Sequence, residues 1–240
     1  NLVPMEFIVR FPPSMQSEFA VELSAPQPAS IQALNMLERV ENVSRVRTVV
    51  QLTLGEPGRG IVGQAMSADT FVPPLPAPAN NYNPVRAKFN RDLLAAGDEL
   101  RGNDYLRIEK AGSCEGSELW RISLRVAALT DVDYGHFIST LRTAVEPVLR
   151  AYDTRDELLQ QLASDGGGKL KGKPRVLILG SERPLNLQSA QLISDDRQTI
   201  LSHNTYLATL GELLSGERIE QPVWKAPSAD KAAEMVANEK

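Results

Sequence analysis

The sequence predicts an α+β fold: a ferredoxin-like βαββαβ sandwich with a long insertion between strands 2 and 3 and a C-terminal α/β extension. Three observations predict it. Trp120, Ile122, Leu124 and Val126 alternate with Arg121, Ser123 and Arg125, the period-two pattern of a strand with one buried and one solvated, basic face. Asp131 and Asp133 then offer N-cap carboxylates to a helix carrying Phe137, Leu141, Val145 and Val148/Leu149 at helical spacing. The element order is the third: strand 5–11, helix 30–40, strand 43–54, strand 118–128, helix 133–151 and strand 175–180. That order forms a four-stranded antiparallel sheet with both helices on one face.

Each element has a local reason. Met5–Phe11 is apolar and β-prone and is stopped by Pro12-Pro13. Residues 14–29 read equally as strand or helical turn around Phe19–Leu23, closed by Pro26 and Pro28. Ser30 is a suitable N-cap for a helix bearing Ile31, Leu34 and Leu37/Val40, with Asn42 at its exit. The Val- and Thr-rich run Val43–Leu54 reads as a long second strand. Gly55–Asn83 has loop composition, and Pro73–Pro78 within it reads as a stiff surface connection, with a polyproline ligand as the alternative.

Asn83 and Pro84 begin a helix to about Ala96 with Val85, Phe89 and Leu93 on one face, and Tyr105–Lys110 is a short strand. Pro147 is expected to kink or end the main helix near Glu146, because proline forfeits a helical hydrogen bond. A separate helical piece then covers Asp153–Ala163. Arg175–Gly180 is an apolar run bounded by Pro174 and Gly180, read as a buried central strand. Helices are expected at Leu185–Ile193, Ser202–Leu214 and Ala229–Glu239. The domain reading is 1–165 for the sandwich (insertion 55–116), 166–173 for a linker and 174–240 for the extension.

Composition narrows the function classes. With 42% hydrophobic and 23% charged residues the 240-residue chain is globular in character. A net charge of -4 argues against a nucleic-acid partner. The single cysteine, Cys114, excludes an internal disulfide and a cysteine-only zinc site; its Gly112–Gly116 setting reads as a turn with an exposed or half-exposed thiol. No apolar run approaches the roughly 18 residues that span a bilayer. The N-terminal stretch lacks a signal-peptide pattern and an initiator methionine, so the sequence reads as part of a longer chain whose flanks could hold membrane segments.

Candidate sites are few. Gly167–Lys173 imitates a phosphate-binding loop, but Pro174 stands where Ser or Thr is needed and the run precedes its strand, so a solvated linker is the better reading. Lys169, Lys171, Lys173 and Arg175 could touch anionic lipid or acidic partners, or simply keep that linker solvated. Ser181 and Arg183 follow an apolar strand at the end where open α/β sheets bind ligands, which makes them candidates for holding a phosphate or carboxylate. Asp195-Asp196 with Asp165 or Glu182 could chelate a hard cation, although helix capping or solvation explains them more simply. His136 and His203 lack partners at triad spacing. Asp131 and Asp133 read as caps rather than an acid–base pair. The expectation is therefore no catalytic, metal or cofactor residue, and no enzyme.

A family resemblance supplies a function. Leu37–Thr48 looks like the helix-to-strand turn of porter subdomains in RND-superfamily exporters of the MMPL type. Glu118–Val126, Asp131–Gly135 and Val145–Leu149 are similar to the second half of such a subdomain, and Phe7–Phe11 fits its first strand. The resemblance covers roughly residues 5–152 and departs from about 170 onward, where a membrane helix would be expected. It implies an extracytoplasmic domain on the periplasmic face of a bacterial inner membrane. It also implies partners in the rest of the transporter and neighbouring subunits, and a lipid or hydrophobic small molecule as cargo. The alternatives are a small-ligand or phosphate-binding α/β module on residues 174–240, or a structural assembly domain.

Overall fold

Strict alternation of side chains makes Glu118–Ala127 the centre of an antiparallel sheet, and the neighbouring elements take their places from it. The computed structural model describes residues 2–17, 33–55, 61–77, 83–127, 133–165, 175–181, 194–214 and 224–238. The elements are β1 (Leu2–Phe11), α1 (Met36–Leu54), β2 (Val62–Met66), α2 (Pro84–Ala95), α3 (Gly97–Gly102), β3 (Leu106–Ile108), β4 (Glu118–Ala127), α4 (Tyr134–Asp165), β5 (Leu177–Leu179), α5 (Ser194–Leu213), β6 (Trp224–Ala226) and α6 (Ala229–Ala237). The fold is α+β. Two compact units divide at Val145/Glu146, within the continuous helix α4.

In the first unit β1 pairs antiparallel with one edge of β4, from Leu2↔Ala127 to Phe11↔Glu118. β2 and β3 share the other edge, one after the other: β2 against Ser123–Val126, β3 against Glu118–Trp120. Trp120, Ile122, Leu124 and Val126 are buried while Arg121 and Ser123 are half-exposed and Arg125 is exposed. The alternation in the sequence is thus the alternation in the sheet.

α1 supplies much of the core, with Leu37, Val40, Val43, Val46 and Val50 all buried. Its first turn is closed by a capping box between Asn35 and Glu38. Asn90 of α2 accepts a further bond from the Leu37 N–H at 2.9 Å. The second strand expected at 43–54 is therefore helix, and the helix expected to end at Asn42 runs to Leu54. Valine and threonine lower helix propensity by only tenths of a kcal/mol each, whereas Val40, Val43, Val46 and Val50 fall on one face and bury there. Packing outweighs propensity.

Three further expectations change. The loop expected at 55–83 contains β2, whose register shifts at Gly63. In α2, begun as expected by Asn83 and Pro84, Val85 is exposed and the polar Arg86 and Asn90 are buried. Pro147 does not end α4, which continues to Asp165. Phe137, Ala144, Val148, Ala151, Tyr152, Arg155 and Leu159 form a buried stripe along one side of the helix. A stripe on both sides of the proline outweighs the ~3 kcal/mol that a proline costs inside a helix.

In the second unit β5 and β6 pair in parallel, Leu177↔Trp224 to Leu179↔Ala226, with α5 between them in sequence. β5 is therefore not the fourth strand of the antiparallel sheet, and Leu179 is exposed. Ile178, Leu207, Leu210, Leu214 and Ala226 are among this unit's buried apolar residues. α6 follows β6 directly, with Ser228 as N-cap. The helix expected at 185–193, the linker 166–173, Ser30 and the Phe19–Leu23 run lie outside the described residues.

Candidate functional site

β4 begins with a buried charge cluster. Glu118 lies on the even-numbered, inward face, where it meets Arg39 of α1 in a two-pronged contact: Nε at 2.7 Å from Oε2 and Nη2 at 3.1 Å from Oε1. Their side chains are 8% and 2% exposed. Trp120 Nε1 donates to the same carboxylate at 2.9 Å. Arg39 Nη1 also donates to the Leu34 carbonyl at 2.5 Å, where the segments around Gln16 and Leu34 bridge. The cluster ties α1, β4 and these two segments together through charge-assisted bonds. A second paired carboxylate, Glu41, receives Arg86 of α2 at 2.6 and 2.9 Å. Asp69 accepts from Ser44, Ser67 and Arg47. All three carboxylates are held by protein donors and read as fastenings between elements.

The opposite face of the sheet is basic and open. Arg121 lies over the Tyr105 ring at 4.6 Å and reaches Glu6 Oε1 at 3.3 Å and the Asn103 carbonyl at 3.3 Å. Phe71 packs on Tyr105 with ring centres 4.7 Å apart. Arg125 is exposed, and Arg107 pairs with Asp104. Cys114 sits in the expected turn, half-exposed, with Arg10 Nη1 2.8 Å from its sulfur.

Ser181, read from the sequence as ligand-binding, is exposed just beyond β5. Gly180 extends the parallel ladder by donating to the Ala226 carbonyl at 2.8 Å. Its φ of +147° favours glycine there. The Ser181 carbonyl is 3.1 Å from His203 Nε2 of α5. Arg183 lies outside the described residues, as do Glu182, Asp131 and the Gly167–Lys173 run. The histidine was not readable as a partner, since the sequence separates it from Ser181 by 22 residues. Asp133 acts as the expected cap, accepting from Gly135 N at 2.8 Å and His136 N at 3.1 Å.

Among the described residues no group of three or more His, Cys, Asp or Glu is placed to hold a metal ion. No described helix is long and apolar enough to cross a membrane. No family model, no curated protein and no solved structure matches the chain.

Proposed function

We propose that this chain is the extracytoplasmic porter-type domain of an RND-superfamily exporter of the MMPL type. In this reading it contributes to substrate passage and subunit docking and performs no chemistry of its own. The observation that carries the reading is the order β1-β4-β2, neighbours antiparallel, with α1 crossing between β1 and β2 and α4 following β4. A ferredoxin-like sandwich sets its first, third and second strands side by side in this way. The insertion falls between β2 and β4, and the outer edge of β1, where such a sandwich sets its fourth strand, carries no strand among the described residues. Lipid or another hydrophobic molecule is the cargo class, and the rest of the transporter is the partner.

The lone cysteine of this segment tests the placement. In the full-length protein, a membrane-impermeant maleimide applied outside an intact inner membrane labels Cys114, whose sulfur is half-exposed, with Cys114→Ser as the blank. Labelling that appears only after the inner membrane is lysed overturns the reading.

A second reading concerns residues 174–240 alone. β5, α5 and β6 form a parallel β-α-β unit, and ligands of open parallel sheets bind beyond the carboxyl ends of the strands. Ser181 and Arg183 follow one such end, and Ser228 follows the other. Under this reading phosphate or a phosphosugar raises the melting temperature and Ser181→Ala with Arg183→Ala removes the rise. Absence of any shift up to millimolar ligand sinks it.

A further inference from the structure

We infer that a second copy of this chain pairs with the outer edge of β1, antiparallel and centred on Ile8. The inference stands on that edge and not on the exporter reading. Arg121 N donates to Tyr105 O and Ala127 N donates to Ile61 O, so odd-numbered residues of β4 bond away from β1. Even-numbered residues of β4 therefore bond toward β1, onto its odd-numbered members from Val3 to Phe11. This leaves the main-chain groups of Pro4, Glu6, Ile8 and Arg10 pointing outward. All four residues are exposed, Ile8 at 51% although it is a large apolar side chain. Among the described residues no strand pairs with this edge.

The pattern Glu6-x-Ile8-x-Arg10 is complementary to itself only when antiparallel. A two-fold axis at Ile8 sets Ile8 against Ile8 of the second copy, and Glu6 against its Arg10 on both sides. Parallel in-register pairing would instead oppose Glu6 to Glu6. Pro4 then lies opposite Pro12, and Pro12 is extended at φ −65°, ψ 159°. Neither proline has an N–H to leave unpaired. The two prolines bound a seven-residue stretch in which Glu6, Ile8 and Arg10 make about six main-chain hydrogen bonds. Half-buried Phe7 and Val9, on the inner face, become cross-strand neighbours between copies. Charges and prolines on an edge strand commonly prevent such pairing; here the opposite signs are disposed so that this one partner satisfies them. Glu6 must leave Arg121, and Arg10 must leave Cys114, but both contacts are at the surface and are cheap to exchange.

The full chain, followed by sedimentation equilibrium from about 1 μM to about 1 mM, is expected to show a monomer–dimer equilibrium in the weak range that small interfaces give. Glu6→Arg and Arg10→Glu each create two like-charge pairs and weaken association about tenfold. Mixing the two variants opposes two basic positions to two acidic ones and restores the dimer, which a local structural defect would not do. As an independent readout, Ile8→Cys in a Cys114→Ser background forms an interchain disulfide on mild oxidation, because directly opposed strand residues lie within disulfide reach. A wild-type chain that stays monomeric throughout, single variants that associate like wild type, or a mixture no better than its components overturns the proposal.

Discussion

Two arginines meet β4 from opposite sides, and their settings differ in nearly every respect. Arg39 approaches the inner face from α1, is 2% exposed, and grips Glu118 with two nitrogens while Trp120 holds the same carboxylate. Arg121 stands on the outer face at 22% exposure, stacked on Tyr105, with Glu6 at 3.3 Å and itself 53% exposed. The inner pair has no water to fall back on, so each charge depends on the other; in the outer pair the Glu6 carboxylate is open to water and Arg121 keeps other partners, so the contact is optional. A buried pair adds little net stability relative to an apolar replacement but is costly to break on one side, whereas an exposed pair typically contributes ~0–1 kcal/mol.

Breaking the inner pair is the largest test of that contrast. Glu118→Ala leaves the Arg39 guanidinium buried without its carboxylate and frees the Trp120 N–H. The expected loss is about 3–5 kcal/mol of folding stability, measured as a lower urea midpoint. The midpoint is also expected to depend weakly on salt in the wild type, since buried charges are poorly screened. A loss below about 1 kcal/mol would mean that water reaches Arg39 and that the two faces are alike.

Asp133 lies between these extremes: exposed like Glu6, but bonded to two main-chain donors at the start of α4. Those N–H groups have no partner inside the helix. Asp133→Ala is expected to cost about 1 kcal/mol, with Asp133→Asn recovering most of it, as the side-chain oxygen is retained. Equal losses for both variants would assign the effect to charge rather than capping.

What the sequence disclosed follows the same division between local and distant causes. The two faces of β4, the cap at Asp133, the Asn83-Pro84 helix start and the Cys114 turn are written in neighbouring residues, and they were readable. Val43–Leu54 reads locally as a strand because of its β-branched content, while the outcome rests on Val40, Val43, Val46 and Val50 burying along one helix face. β2 was hidden because five residues containing a glycine, between stretches of loop composition, carry too little periodicity. Glu118 and Arg39 are 79 positions apart, and nothing local marks either as the other's partner. Of the ligand pair read from the sequence, Ser181 follows β5, a strand expected in the antiparallel sheet but paired in parallel with β6, and its contact with His203 depends on how α5 packs.

The smallest expected effect is the most informative about the outer face. Glu6→Ala removes a contact in which the carboxylate is more than half exposed and the partner keeps its Tyr105 stacking and the Asn103 carbonyl. Stability measured at a concentration where the chain is monomeric should therefore change by no more than about 0.5 kcal/mol. The same substitution removes both interchain ion pairs of an Ile8-centred dimer, so association should weaken while the fold does not. Folding stability and self-association thus part company at Glu6, whereas at Glu118 they would fall together. If Glu6→Ala lowered the urea midpoint of the monomer as much as Asp133→Ala, the outer face would be holding the sheet together, and its exposed charges could no longer be read as reserved for a second strand.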